Sequence, residues 1–232
     1  MEVLKGLRNL DLTEGKYHDS KALIACNSSK VVHLVKSFHV TSVTKILAFA
    51  GSVRKDSFNK KLVKIAITGA KTTGAEVTYL DFRDLPLPLY DEDLETSKGL
   101  PDNVLKLKAM MKAHQGFLIA CPEYNSSITP LLKNAIDWAS RPVQDEPRLG
   151  CFTGKVAILM SASPGELGGL RGLVHVCSIL GNIGVLVLPE QKAIRNACQA
   201  FDENGNLTAR SQQEAIEQLG HKLATITAKL TG

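Results

Sequence analysis

Gly51-Ser52-Val53-Arg54-Lys55-Asp56-Ser57-Phe58-Asn59 places two hydroxyls, an amide and a guanidinium in one short segment behind a glycine. Those groups together suit the binding of phosphate. Ser52, Ser57 and Asn59 offer donors, and Arg54 can fork onto phosphate oxygens. Gly51 permits a tight turn close to a ligand, and the free N–H groups of a following helix point at the same place. A hydrogen bond to a charged group contributes about 1.5–3 kcal/mol, so three or four can fix a phosphate monoester. The segment is neither GxGxxG nor GxxxxGK[ST]. Ser and Asn are also common helix caps, so from composition alone a capped helix start with solvated charges accounts for it equally well.

Two more segments carry unusual polar groups. Pro122-Glu123-Tyr124-Asn125-Ser126-Ser127-Ile128-Thr129-Pro130 is stiffened by two prolines and offers backbone amides beside the ring of Tyr124. Such a loop can frame a flat heterocycle, with Asn125 donating and accepting at its edge. Thr129 and Pro130 also read simply as N-cap and first helical residue. Ser161-Ala162-Ser163-Pro164-Gly165-Glu166-Leu167-Gly168-Gly169 lets backbone approach a ligand or a neighbouring helix closely. Alone, it is a glycine-rich turn.

The elements that must position these loops follow from the apolar pattern. KILAFA (45–50), EVTYLDF (76–82), GFLIAC (116–121), KVAILMSA (155–162) and GVLVLP (184–189) read as strands. Helical stretches separate them: one after the first loop, then 101–115, 129–140, 170–180 and a closing amphipathic helix over 211–230. Strands apolar on both faces and alternating with helices require a parallel sheet covered on both sides. The expectation is an α/β, flavodoxin-like three-layer sandwich with a five-stranded parallel sheet of order 2-1-3-4-5. In that order a crevice opens at the carboxyl ends of strands one and three, where the first two polar loops lie.

Composition narrows the classes. The 232 residues allow one large domain or a domain with an extension, and the 44% apolar content suits a sizeable buried core. The division expected is an N-terminal extension, 1–43, without sustained periodicity, then a domain over 44–232. Glu2, Asp11, Glu14 and Asp19 argue against a transit peptide in the extension. The net charge of +5 favours small anions, and no Lys/Arg patch with interleaved aromatics points to nucleic acid. No run approaches the roughly 18 apolar residues of a membrane span. Five scattered cysteines without CxxC, and six histidines without HxH or HxxxH, suit reduced thiols in the cytoplasm and no metal site. With no GxSxG, a hydrolase is not expected. Asp81, Asp84, Asp91, Glu92 and Asp93 read as a solvated acidic region, Trp138 as packing, and Cys121 as a small buried residue beside the second loop.

GSVRKDSFN, PEYNSSITPLLKNAIDWASRP and SASPGELGG, in that order and spacing, resemble the NADPH-dependent FMN reductases, flavodoxin-like quinone, chromate and azo reductases, over about residues 45–230. The resemblance implies that Ser52, Arg54, Ser57 and Asn59 hold the 5′-phosphate of FMN. It implies that Pro122, Glu123, Tyr124 and Asn125 line the isoalloxazine and ribityl chain, and that Ser161, Ser163 and Gly165 approach from the other side. Ser126 and Thr129 depart from the aromatic and proline many relatives carry there. The implied activity is ping-pong hydride transfer from NADPH, or NADH, through bound FMN to a quinone, flavin or similar small acceptor. The flavin carries the chemistry and no side chain is required as nucleophile or acid. A homodimer or homotetramer is implied as well. The competing readings are a flavodoxin-like electron carrier and a non-catalytic flavin-binding regulator.

Overall fold

The computed structural model describes residues 43–232; apart from Val43, the expected extension lies outside the described residues. β1 (Lys45–Ala50), β2 (Glu76–Leu80), β3 (Gly116–Ala120), β6 (Val156–Ala162) and β7 (Leu186–Ile194) form one sheet of order β2-β1-β3-β6-β7, all neighbours parallel. This is the expected 2-1-3-4-5 order. A small antiparallel pair, β4 (Glu123–Tyr124) with β5 (Ser127–Ile128), stands outside it.

Successive side chains of a strand point to opposite faces, and both faces here are core. Ile46, Ala48, Leu118, Ile158 and Met160 pack on the side of α1 (Phe58–Lys71) and α7 (Arg210–Thr231). Leu47, Phe49, Phe117, Ile119 and Leu159 pack on the opposite side, which holds α3 (Asp102–Ala113), α4 (Pro130–Ser140) and α5 (Leu170–Asn182). That double burial is why the central strands read as unbroken apolar runs. The remaining helices, α2 (Glu92–Lys98) and α6 (Ala197–Ala200), are short.

α1 and α7 cross where each presents a glycine. A Cβ on Gly69 would lie 1.8 Å from the Glu217 carbonyl oxygen, and one on Gly220 would lie 1.8 Å from that of Ala66. Only glycine allows the two backbones to come so close. The last strand begins and ends later than its apolar run suggests. β7 continues through the polar Glu190–Lys192 segment after an irregularity around Pro189 that shifts its register against β6. Pro is tolerated at such irregularities, and an edge strand has no need to be apolar throughout.

The register brings the polar loops together. Ala50 lies opposite Ala120, and Ala120 opposite Met160. The chain therefore leaves β1, β3 and β6 side by side at one end of the sheet.

Candidate functional site

The loops after β1, β3 and β6 enclose a small pocket of about 90 Å³. It is lined by Ser52, Arg54, Ser57, Asn59, Pro122, Glu123, Tyr124 and Ser163, together with Phe58, Ala162 and Pro164. Asn125, Ser161 and Gly165 do not line it.

The first loop is fixed from both sides. Gly51 N–H donates to the Ala120 carbonyl at 2.9 Å, and the Thr129 hydroxyl donates to the Gly51 carbonyl at 2.9 Å. Thr129 Oγ1 also accepts from Leu132 N–H at 3.3 Å, capping α4, with Pro130 in the first turn. The capping role of Thr129 and Pro130 thus holds, and Thr129 ties the first loop to the second. A Cβ on Gly51 would meet Leu132 Cβ at 2.9 Å. The glycine is needed for the approach of α4, a partner the sequence does not name.

Asn59 occupies both of its amide groups inside the protein. Its Nδ2 donates to the Ala162 carbonyl at 2.8 Å, and its Oδ1 accepts from Ala162 N–H at 3.0 Å. The side chain latches the first loop to the end of β6. Ser52 Oγ accepts from Arg54 N–H at 3.3 Å. Ser57 is buried at the start of α1, yet its hydroxyl makes no capping bond to that helix. Since Lys61 N–H is the one that reaches the Ser57 carbonyl, the earlier N–H groups of α1 have no partner within the helix. Arg54 is exposed and has no carboxylate partner among the described residues. Its guanidinium sits 5.8 Å from the centre of the Phe58 ring and donates to the Asp56 carbonyl at 3.3 Å. Phe58 stacks in turn on Phe201, with 5.7 Å between ring centres. A ring holds a cation without neutralising it, so Arg54 is held in place but remains a free charge.

The second segment is a hairpin, where sequence alone suggests only a stiff loop. Asn125 and Ser126 both adopt left-handed backbone, with φ of 50° and 66°. Positive φ at both central residues is the turn geometry that two-residue hairpins favour, and Asn tolerates it. The Tyr-Asn-Ser-Ser run carried that signal. Three hydrogen bonds hold the hairpin to α5: Glu123 Oε2 accepts from Gly172 N–H at 2.8 Å, Arg171 Nη1 donates to Ser126 Oγ at 3.1 Å, and Ser127 Oγ meets His175 Nδ1 at 2.9 Å. Glu123 therefore spends its carboxylate on a helix start. Asn125 is exposed in the turn, and Tyr124, 56% exposed, presents its ring at the pocket mouth.

In the third loop, Ser161 is fully buried and donates to the Gly168 carbonyl at 2.6 Å, which shapes the glycine turn before α5. Ser163 Oγ accepts from Gly165 N–H at 3.4 Å. Phe58, Arg171 and His175 escaped notice in the sequence. An aromatic between Ser57 and Asn59 was a signal for the first; nothing local marks the other two.

Trp138 and Cys121 take the packing roles expected of them, whereas Asp81, expected in a solvated acidic region, is partly buried in an ion pair with Lys60. Trp138 is fully buried, donates to the Pro88 carbonyl at 2.8 Å and meets the Tyr90 ring edge-on. Asp91 caps α2 by accepting from Asp93 N–H at 2.9 Å. Complete burial pushes the Cys121 thiol far above its usual range, so it is not a nucleophile. Burial alone would raise the Asp81 carboxyl, but the Lys60 ammonium at 2.7 Å and the Arg83 N–H outweigh it and hold the group below its ordinary value.

Taken together, the pocket offers Arg54, which has no carboxylate partner among the described residues, the Ser57 hydroxyl, which caps nothing, and the first-turn N–H groups of α1. Its volume suits a phosphate and the start of a sugar chain, not a whole flavin, so a flat ring would lie on the open surface beside Tyr124. The residues fit FMN in this respect.

Known proteins are similar to this chain in sequence and fold. The family model for NADPH-dependent FMN reductase matches residues 44–199. An NAD(P)H-dependent FMN reductase of Pseudomonas aeruginosa is 34% identical over 189 residues, covering 81% of this chain and 97% of the relative. An NAD(P)H:quinone oxidoreductase of Solanum tuberosum is 35% identical over 195 residues, covering 82% and 96%. Among solved structures, the flavoenzyme NAD(P)H:(acceptor) oxidoreductase FerB of Paracoccus denitrificans superposes with a TM-score of 0.68 at 30% identity, covering 81% and 98%. Sheet order, phosphate-suited loop, hairpin and whole-domain similarity agree, and this chain belongs to the NADPH-dependent FMN reductase family.

Proposed function

We propose that this protein is an FMN-dependent NAD(P)H oxidoreductase that reduces a quinone, a flavin or a similar small acceptor. The observation that carries this is the set of donors at the carboxyl end of β1 that no acidic or capping partner engages: Arg54 without a carboxylate, Ser57 without a cap, and the free first turn of α1. Family membership supports the same reading.

FMN, when bound, supplies the redox chemistry, taking a hydride from NAD(P)H and delivering two electrons to the acceptor. The chain's own residues bind and orient. Arg54 and Ser57 hold the phosphate, with Ser52 setting the turn that leads into Arg54. Asn59 keeps the phosphate loop and the β6 loop at a fixed separation. The hairpin, held by Glu123, Arg171 and His175, presents Tyr124 and the backbone around Pro122 to the ring. Asn125, Ser161 and Gly165 act behind this surface, by shaping the turns. The unit that does this is residues 44–232. Family resemblance supports a homodimer or homotetramer, and the scattered cysteines support a cytoplasmic location; among the described residues no helix is long and apolar enough to cross a membrane.

The test is spectroscopic. The purified chain, given FMN if colourless, is expected to bind it, to bleach promptly with NADPH under anaerobic conditions, and to regain colour with a quinone. Bound flavin that NADPH fails to bleach would move the protein to the carrier or regulator class. Failure to bind FMN in excess would sink the reading.

A further inference from the structure

A second concavity, larger than the flavin pocket, lies beside it and outside it. It encloses about 400 Å³, within the range of small-molecule sites. It runs along the outer face of α1 from the phosphate loop, sharing Ser57 with the flavin pocket and reaching Lys61, Lys64, Tyr79 and the 203–206 turn.

Its walls are built. The turn is closed by Asp202 N–H to the Asn206 carbonyl at 2.8 Å and Asn206 N–H to Asp202 Oδ1 at 2.8 Å. Lys61 Nζ stands 5.8 Å from the Phe201 ring centre, and Lys64 Nζ stands 5.5 Å from that of Tyr79. Rings position these ammoniums without cancelling them. Burial, with Asp81 and Asp84 nearby, pushes the Tyr79 phenol up to about 12, so it adds no negative charge. Lys60, also lining the groove, is neutralised by Asp81 at 2.7 Å. Lys55, Lys61 and Lys64 have no carboxylate partner among the described residues. Asp56 and Glu203 face the groove as well; carboxylates accept from hydroxyl and amine donors, so this lining suits a ligand with both a phosphate and a sugar or a base.

We propose that this groove is a phosphate-monoester subsite, distinct from the flavin-phosphate loop, and that it takes the 2′-phosphate on the adenosine half of NADPH. The choice of ligand rests on the reductase reading. A dinucleotide whose nicotinamide reaches the flavin must seat its adenosine half elsewhere, and this groove begins where the phosphate loop ends. Lys61 and Lys64 then favour NADPH over NADH, because only NADPH brings the extra phosphate.

The experiment uses Lys61→Gln/Lys64→Gln in the full chain loaded with FMN. The KM for NADPH is expected to rise about tenfold, the scale of losing a charge-assisted hydrogen bond, while the KM for NADH and both kcat values stay put. Lys61→Arg/Lys64→Arg is expected to restore much of the preference. Calorimetric titration with adenosine 2′,5′-bisphosphate reads the groove without needing flavin, so a protein that retains no FMN would fail the reductase reading and leave this measurement intact. Binding that the Gln variant weakens, and that competes with NADPH, supports both parts. Binding that the variant weakens without such competition keeps the phosphate subsite and overturns the NADPH assignment, giving the groove to a free nucleotide. Absence of binding, or equal loss for NADPH and NADH, overturns the proposal.

Discussion

Replacing Arg54 by Ala separates ligand binding from folding. Within the protein this side chain makes one bond, at 3.3 Å to the Asp56 carbonyl, and one ring contact, to Phe58 at 5.8 Å. Both are exposed, so their loss costs the fold well under about 1 kcal/mol. Toward a phosphate the same side chain is a charge-assisted donor. Such a bond contributes about 1.5–3 kcal/mol, or roughly ten- to a hundredfold in affinity. Because Arg54 is open to solvent and salt, the lower end applies, and FMN is expected to bind about tenfold more weakly. Riboflavin, which lacks the phosphate, serves as the internal control and should bind the variant and the parent alike. Flavin fluorescence titration measures both, while thermal unfolding of the apo protein should be unchanged within about a degree or two. Equal losses for FMN and riboflavin would show that Arg54 does not act on the phosphate, as would an FMN affinity within threefold of the parent.

Other substitutions should act on the frame. Asn59→Ala leaves both the N–H and the carbonyl of Ala162 without their partner. It is expected to destabilise the apo protein by about 2–4 kcal/mol in urea unfolding, because orphaned buried groups are costly. Asp81→Asn strips the largely buried Lys60 ammonium of its counter-charge, for a loss of about 2 kcal/mol, between the exposed and fully buried cases. The Asp81 carboxyl is held below its unfolded value, so its contribution is complete above the unfolded pKa of about 3.9 and disappears as pH falls through the folded value. The stability gap between parent and variant should therefore be flat at neutral pH and close in acid; a gap that widens toward acid would contradict the assignment. Gly220→Ala puts a methyl 1.8 Å from the Ala66 carbonyl oxygen. It should cost more than the roughly 1–3 kcal/mol of ordinary overpacking, as denaturant unfolding would show.

The strand order and the identity of the site loops are determined by the sequence itself. KILAFA, GFLIAC and VAILMSA are apolar on both faces because the helices cover both, and that pattern leaves few topologies besides a doubly wound parallel sheet. Gly, Ser, Arg and Pro at the ends of those runs mark the loops that leave the sheet together. What each polar side chain does there was decided by the tertiary structure. Asn59, Glu123 and Ser161 look like ligand groups in sequence, yet each is consumed by backbone that becomes its neighbour only after folding: Ala162, Gly172 and Gly168. Gly51 makes room for α4, not for a ligand. Arg54 and Ser57 differ in that no distant backbone or carboxylate among the described residues engages them. Composition shows which donors a loop owns; only the packed chain shows which of them the protein has already used, since a hydrogen bond depends on angstrom-scale proximity between residues as far apart as 103 positions.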